Sequence, residues 1–175
     1  MNFDLDRSAA VLRRTPAALT ALLAGLDDAW TRATYGDGTF SPFDVVGHLL
    51  HAERANWLPR LRIILNDGEA RPFDPFDRYA MFEASRGKTI DDLLGEFAAE
   101  RARSLDALAA LRLTPTDLAR RGTHPQLGPL TASQILSAWV VHDLGHTHQV
   151  AKAMAYQYRD AVGPIRQFLT ILPPT

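Results

Sequence analysis

The stretch Trp139-Val140-Val141-His142-Asp143-Leu144-Gly145-His146-Thr147-His148-Gln149 sets two imidazoles four residues apart inside an otherwise apolar run. On an α-helix, residues i and i+4 lie about 40° apart around the axis and one turn apart along it, so both rings reach one point beside the helix. Such a helix needs a partner for its apolar face, and two imidazoles rarely suffice to hold a cation. A third stands at His48, in Val45-Val46-Gly47-His48-Leu49-Leu50-His51, another apolar segment that reads as a helix. The expectation is a three-histidine site between two helices of a bundle.

Other residue types narrow what that site can contain. Zero cysteines exclude disulfides, thiolate ligands and a cysteine nucleophile, so a bound metal must be held by imidazole, carboxylate and water. With 19 basic and 20 acidic residues the net charge of −1 offers no general attraction to nucleic acid or anionic membranes. The partner expected is a small-molecule substrate, with no nucleic acid and no membrane. Met1-Asn2-Phe3-Asp4-Leu5-Asp6 carries acids where a signal peptide needs base, and no segment is apolar for long enough to span a bilayer. The reading is cytoplasmic. A chain of 175 residues is long enough for one well-buried core, so residues 1–175 are taken as one helical-bundle domain.

Four long helices are expected. Thr15-Pro16 opens the first, which runs to about Leu26 through Leu19, Leu22 and Leu23. Ser41-Pro42-Phe43-Asp44 opens the second, which carries His48 and continues to Asn66-Asp67-Gly68 with a kink near Ala55, because Pro59 lacks the backbone donor that residue would receive. Thr89 with Asp92 opens the third, whose charged positions Glu96, Glu100, Arg101 and Arg103 read as a solvated face. Thr131 with Gln134 opens the fourth. Residues 69–88 form a long crossover with partial helix and residues 113–130 a second irregular connection, no strand-like alternation of useful length appears, and Ile165 to Leu172 forms a small packing helix before Pro173-Pro174. The fold class is an all-α four-helix bundle with long crossover connections.

His51 shares a face with His48, which makes it the rival third ligand, a group that supports a ligand from behind, or a substrate-side group. His148 lies about 120° around the helix from His142 and reads as surface or interface. His124, between prolines and turns, reads as turn packing. Asp44 either orients the His48 ring or caps its helix. Asp143 and His51 are the catalytic acid/base candidates, beside Glu53, although a solvated or ion-paired surface role is the simpler reading for each carboxylate. Three neutral imidazoles leave a divalent ion its full charge and room for water or substrate, so the site reads as open. Zn²⁺ is the first choice and Ni²⁺ the next, since Fe²⁺ more often takes a carboxylate in place of one histidine.

Three pieces, in order, carry a family resemblance: Thr39-Phe40-Ser41-Pro42-Phe43-Asp44-Val45-Val46-Gly47-His48-Leu49, then Gly122-Thr123-His124-Pro125-Gln126-Leu127-Gly128-Pro129-Leu130-Thr131, then Val141-His142-Asp143-Leu144-Gly145-His146-Thr147-His148-Gln149. Over nearly its whole length the chain resembles the DinB-like (DinB/YfiT-like) superfamily of metalloenzymes. The resemblance implies an up-up-down-down-like bundle and a metal held by His48, His142 and His146. It also implies thiol-dependent chemistry of the kind seen in bacillithiol S-transferases and a mycothiol-dependent maleylpyruvate isomerase, and homodimers in many members.

Three functions follow as alternatives. The first is metal-dependent transfer of a low-molecular-weight thiol, as co-substrate, to an electrophilic or xenobiotic compound. It expects a drug-sized pocket lined by some of Phe73, Phe76, Trp57 and Trp139. The second is metal-dependent hydrolysis, which needs a base beside the metal. The third is a non-catalytic, metal-stabilised stress-response or binding protein.

Overall fold

The computed structural model describes residues 3–172, so the Met1-Asn2 start and the Pro173-Pro174 end lie outside the described residues. The elements in chain order are α1 (Leu5–Leu12), α2 (Thr15–Leu23), α3 (Asp28–Thr31), α4 (Pro42–Ala55), α5 (Trp57–Asn66), α6 (Ala80–Ala84), α7 (Ile90–Ala110), α8 (Pro115–Ala119), β1 (Arg121–His124), β2 (Gly128–Thr131) and α9 (Ala132–Tyr156). Four rods make the bundle: the α1–α2 pair, the α4–α5 pair, α7 and α9. The first rod packs on α7 and α9, and α4 packs on the same two. Around the bundle the order is therefore first rod, α7, α4–α5, α9. Rods joined directly in sequence, first to second and third to fourth, lie on the diagonals, which is why both connections are long.

Local chemistry explains the helix boundaries. Capping boxes start α4 at Ser41/Asp44, α7 at Thr89/Asp92 and α9 at Thr131/Gln134, each satisfying two otherwise orphaned backbone donors. The second rod breaks at Asn56, where Pro59 has no N–H to give the Ala55 carbonyl. The first rod departs from expectation in two ways. It stops at Leu23, and a further helix, α1, precedes it, capped by Asp4 Oδ1 accepting from the Arg7 N–H at 2.8 Å.

The second crossover holds an unexpected short antiparallel hairpin, β1 with β2, in the register Arg121 opposite Thr131 and His124 opposite Gly128. Its four-residue strands are too short for alternation to show in sequence. The hairpin anchors the first crossover. Phe73 donates its N–H to the Thr123 carbonyl at 2.9 Å, and the Phe73 ring packs where Gly122 has no side chain. A Cβ at Gly122 would lie 2.7 Å from that ring and 2.8 Å from Ile64. The expected C-terminal packing helix is instead a 3₁₀ turn, Gly163–Phe168, with Ile165 and Phe168 exposed and only Leu172 buried.

Two apolar clusters fill the bundle, one around Leu61, Ile64, Leu105, Leu136 and Trp139, the other around Leu19, Val45, Leu49, Leu93, Phe97 and Val150. Along α7 and α9 a buried polar layer separates them. Arg101, expected on a solvated face, is only 1% exposed. Its guanidinium donates to both Asp143 oxygens at 2.6 and 3.1 Å, to Glu53 Oε1 at 2.7 Å and to the Leu12 carbonyl at 2.7 Å. Trp139 Nε1 donates to the same Glu53 oxygen at 2.9 Å. One side chain of α7 thus binds α1, α4 and α9. Burial raises the Glu53 carboxyl above its usual value despite these bonds, because a dry interior disfavours its charged form.

Removing the cation strands two carboxyl groups in a dry interior, whereas an amide at position 53 keeps an oxygen to accept from Arg101 and Trp139. Arg101→Met is expected to cost about 3–5 kcal/mol in urea unfolding and Glu53→Gln about 1 kcal/mol. Equal, small losses for the two variants would contradict this account of the layer.

Candidate metal centre

α4 and α9 face each other where His48 meets His142 and His146. The capping boxes set the register of each helix from its first turn, and the Arg101 layer joins Glu53 on α4 to Asp143, the residue after His142. One potential ligand atom from each of the three histidines lies within 4.8 Å of the other two, and among the described residues no carboxylate joins the group. His48 Nε2 and His142 Nε2 stand 3.1 Å apart. Two imidazole nitrogens bound at about 2.0–2.1 Å to one tetrahedral ion stand about 3.3–3.4 Å apart, so this spacing fits a shared cation. Nδ1 of His146 meets Gln149 Oε1 at 2.8 Å, which places the ring proton there and leaves Nε2 with its lone pair.

The rings are held neutral. Burial pushes His48 down to about 4, helped by the charges of His146, Arg78 and His51. Burial pushes His142 down to about 3, helped by His146, His48 and Arg101. Burial also lowers His146, against the opposing pull of Gln149 and Asp143. Nδ1 of His142 is buried without a hydrogen-bond partner, and the Arg78 backbone beside the His48 ring only partly offsets the downward push on it. A proton between His48 and His142 would satisfy two of the three converging nitrogens. A divalent cation would satisfy all three, and the donor set fits one.

Aromatic rings wall the group. Phe40 and Phe76 stand 5.8 and 5.9 Å from the His48 ring, and the edge of Trp57 meets His142 at 5.0 Å. Gly47 lets the chain beyond α6 lie against α4 beside His48, since a Cβ there would sit 2.6 Å from Ser85 Oγ.

Other expected site residues fall elsewhere. Asp44 is committed to the cap, its Oδ2 accepting from the Ser41 N–H and hydroxyl, and does not orient His48. Asp143 is neither a free base nor a solvated carboxylate, being fully buried against Arg101. Glu53 shares that fate. His51 is not in the trio: its Nε2 donates to the Asp77 carbonyl at 3.0 Å and its ring stacks on Phe76. His148 is exposed. His124 Nδ1 accepts from the Gln126 and Leu127 N–H groups, as turn packing requires. The four aromatic residues expected to line one pocket are dispersed. Trp57 and Trp139 stack in the core at 5.9 Å and Phe73 is buried, so of the four only Phe76 and Trp57 meet the histidine group, Trp57 from within the core. A hollow of 610 Å³ lies instead between α2 and α7, lined by Pro16, Ala17, Thr20, Ala98 and Ala102.

A four-helix bundle with a three-imidazole group, one ring buried and two half-buried, whose donor set fits a divalent metal defines the class. The chain belongs to the DinB superfamily, whose model matches residues 11–150. Among solved structures, the chain is similar to YfiT from Bacillus subtilis, described as a probable metal-dependent hydrolase with an unusual four-helix bundle topology. The TM-score is 0.73 at 23% identity, over 90% of this chain and 87% of that one. It is also similar to TT2238, described as a four-helix bundle protein, with a TM-score of 0.53 at 23% identity over 82% and 94% of the two chains. At these identities the likeness shows the fold. No curated protein matches the chain.

Metal uptake and acidity are linked with a definite sign. Rings depressed to about 4 and about 3 keep their lone pairs as the pH falls past the ordinary histidine value. Calorimetric Zn²⁺ affinity is therefore expected to fall less steeply between pH 7.5 and pH 5.5 than competition at three ordinary histidines would make it, and to be lost near pH 4, where His48 takes up its proton. A site of ordinary histidines would instead weaken steeply as the pH falls from about 6.5.

Proposed function

We propose that the chain is a metal-dependent enzyme in which His48, His142 and His146 hold a divalent ion, Zn²⁺ first and Ni²⁺ next. The observation that carries this reading is the convergence of three imidazoles, His48 buried and His142 and His146 half-buried, with no carboxylate among them. Such an ion keeps its charge, retains room for a further ligand and lowers the pKa of a nucleophile placed on it.

The substrate proposed is a low-molecular-weight thiol, passed to an electrophilic small molecule. A thiol is acidic enough to lose its proton at such a centre without a dedicated base. That suits a site where both nearby buried carboxylates are bound to Arg101. Gln149 fixes the His146 ring, while Phe40 and Phe76 shield the His48 side from water.

Hydrolysis is the second reading, favoured by the likeness to YfiT and by His51. Donation from His51 Nε2 to the Asp77 carbonyl leaves Nδ1 as a proton acceptor on a ring stacked against Phe76, itself in contact with His48.

Cobalt substitution separates the two. Thiols added to the Co²⁺-loaded protein are expected to produce an intense thiolate-to-cobalt band that His142→Ala abolishes. If no thiol yields a band while ester hydrolysis falls at least tenfold in His51→Ala, thiol transfer is wrong and hydrolysis replaces it.

A further inference from the structure

Arg78 sits beside the histidine group in a position that a metal centre alone does not explain. Its positive charge bears on both His48 and His146. A fixed cation there opposes uptake of a second cation, since like charges at this range repel even through partly aqueous surroundings. The side chain is exposed and claimed by no carboxylate among the described residues. Neighbouring acids are spent elsewhere: Asp74 pairs with Arg71, Asp77 Oδ1 accepts from the Tyr79 N–H, and Glu83 pairs with Arg86. What holds Arg78 is aromatic. Its guanidinium carbon lies 5.5 Å from the Phe40 ring centre and 5.3 Å from that of Tyr79, an arrangement that fixes the fork and leaves its N–H donors unused.

We infer that Arg78 recognises an oxyanion, a carboxylate or a phosphate, carried by the substrate of the histidine site. This rests on the metal reading above. An anion lying between the guanidinium and a divalent ion is attracted by both, which turns the repulsion into a recognition device. The surroundings fit the rest of such a molecule. Phe40 meets Phe82 edge-on at 6.0 Å, and Phe82 stacks on Tyr79 at 6.2 Å. Tyr79 and Phe82 remain 58% and 49% exposed, an apolar shelf beside the cation. The substrate class is a small molecule with an oxyanion at one end and an apolar or aromatic body. Arg78 reaches this place because the hairpin pins the crossover at Phe73, a few residues before it.

The test uses the full chain loaded with Co²⁺, read through the ligand-field spectrum, with benzoate, inorganic phosphate and uncharged benzamide as probes. In the wild type the oxyanions are expected to bind more tightly than benzamide. Arg78→Gln should weaken the better oxyanion about tenfold and Arg78→Lys should recover part of the loss, with benzamide binding the same in all three. The oxyanion that loses more names the source, carboxylate or phosphate. Oxyanion binding unchanged in Arg78→Gln, or no oxyanion binding by the cobalt-loaded wild type, overturns the proposal. Failure of the metal reading shows separately, as a folded wild type that takes up no cobalt.

Discussion

Arg101 is the interaction on which the remaining geometry depends. A guanidinium with both faces buried, bound to Asp143, Glu53 and the Leu12 carbonyl, is tolerated only when its partners stand at fixed distances. Ion pairs of this kind add little net stability compared with apolar packing, but they penalise misplaced register heavily. A sliding of α9 by one turn would bury Asp143 without its cation. The residue before Asp143 is His142, so the register that satisfies the ion layer is the one that brings His142 and His146 to His48.

The histidine group inverts the usual relation between burial and charge. Interiors reject an imidazolium, so three neighbouring rings are driven neutral, and neutral rings whose lone pairs converge repel one another at 3.1 Å unless something electropositive lies between them. Packing alone would not select such a cluster. The aromatic rings of Phe40, Phe76 and Trp57 deepen the effect by excluding water from its sides. Selection for a cation is therefore written into the surroundings as much as into the ligands, and Arg78 at the rim biases the site toward a cation that arrives with an anion.

Much of this was legible from residue spacing because the signals are local. Ser41/Asp44, Thr89/Asp92 and Thr131/Gln134 announce helix starts by hydrogen bonds three residues apart, and the His142/His146 interval is a property of one helix turn. Pro59 marks the break in the second rod for an equally local reason. The misses are non-local. Arg101 sits in a run of charges, Glu100-Arg101-Ala102-Arg103, and only the partners that the fold brings from three other helices distinguish it from its exposed neighbours. Asp143 was an acid/base candidate, yet consecutive helical residues point about 100° apart, so the residue after His142 faces the Arg101 layer rather than the other rings. Asp44 offered two roles, and the nearer backbone donor won. Trp57 and Trp139, read as pocket walls, bury too much surface to be left at a mouth. Gln149 had a signal that went unused, an amide three residues after His146 on the same face. The hairpin had Gly128 and turn residues but strands too short to register.

The central claim is that three imidazole nitrogens share one divalent ion, and X-ray absorption at the zinc edge of the stoichiometrically loaded protein addresses it most directly. The account predicts a shell of nitrogen and oxygen neighbours at about 2.0–2.1 Å with the outer-shell scattering of three imidazole rings and one or two light-atom ligands completing it. A spectrum fitted by oxygen alone, or by no more than one imidazole, would contradict it.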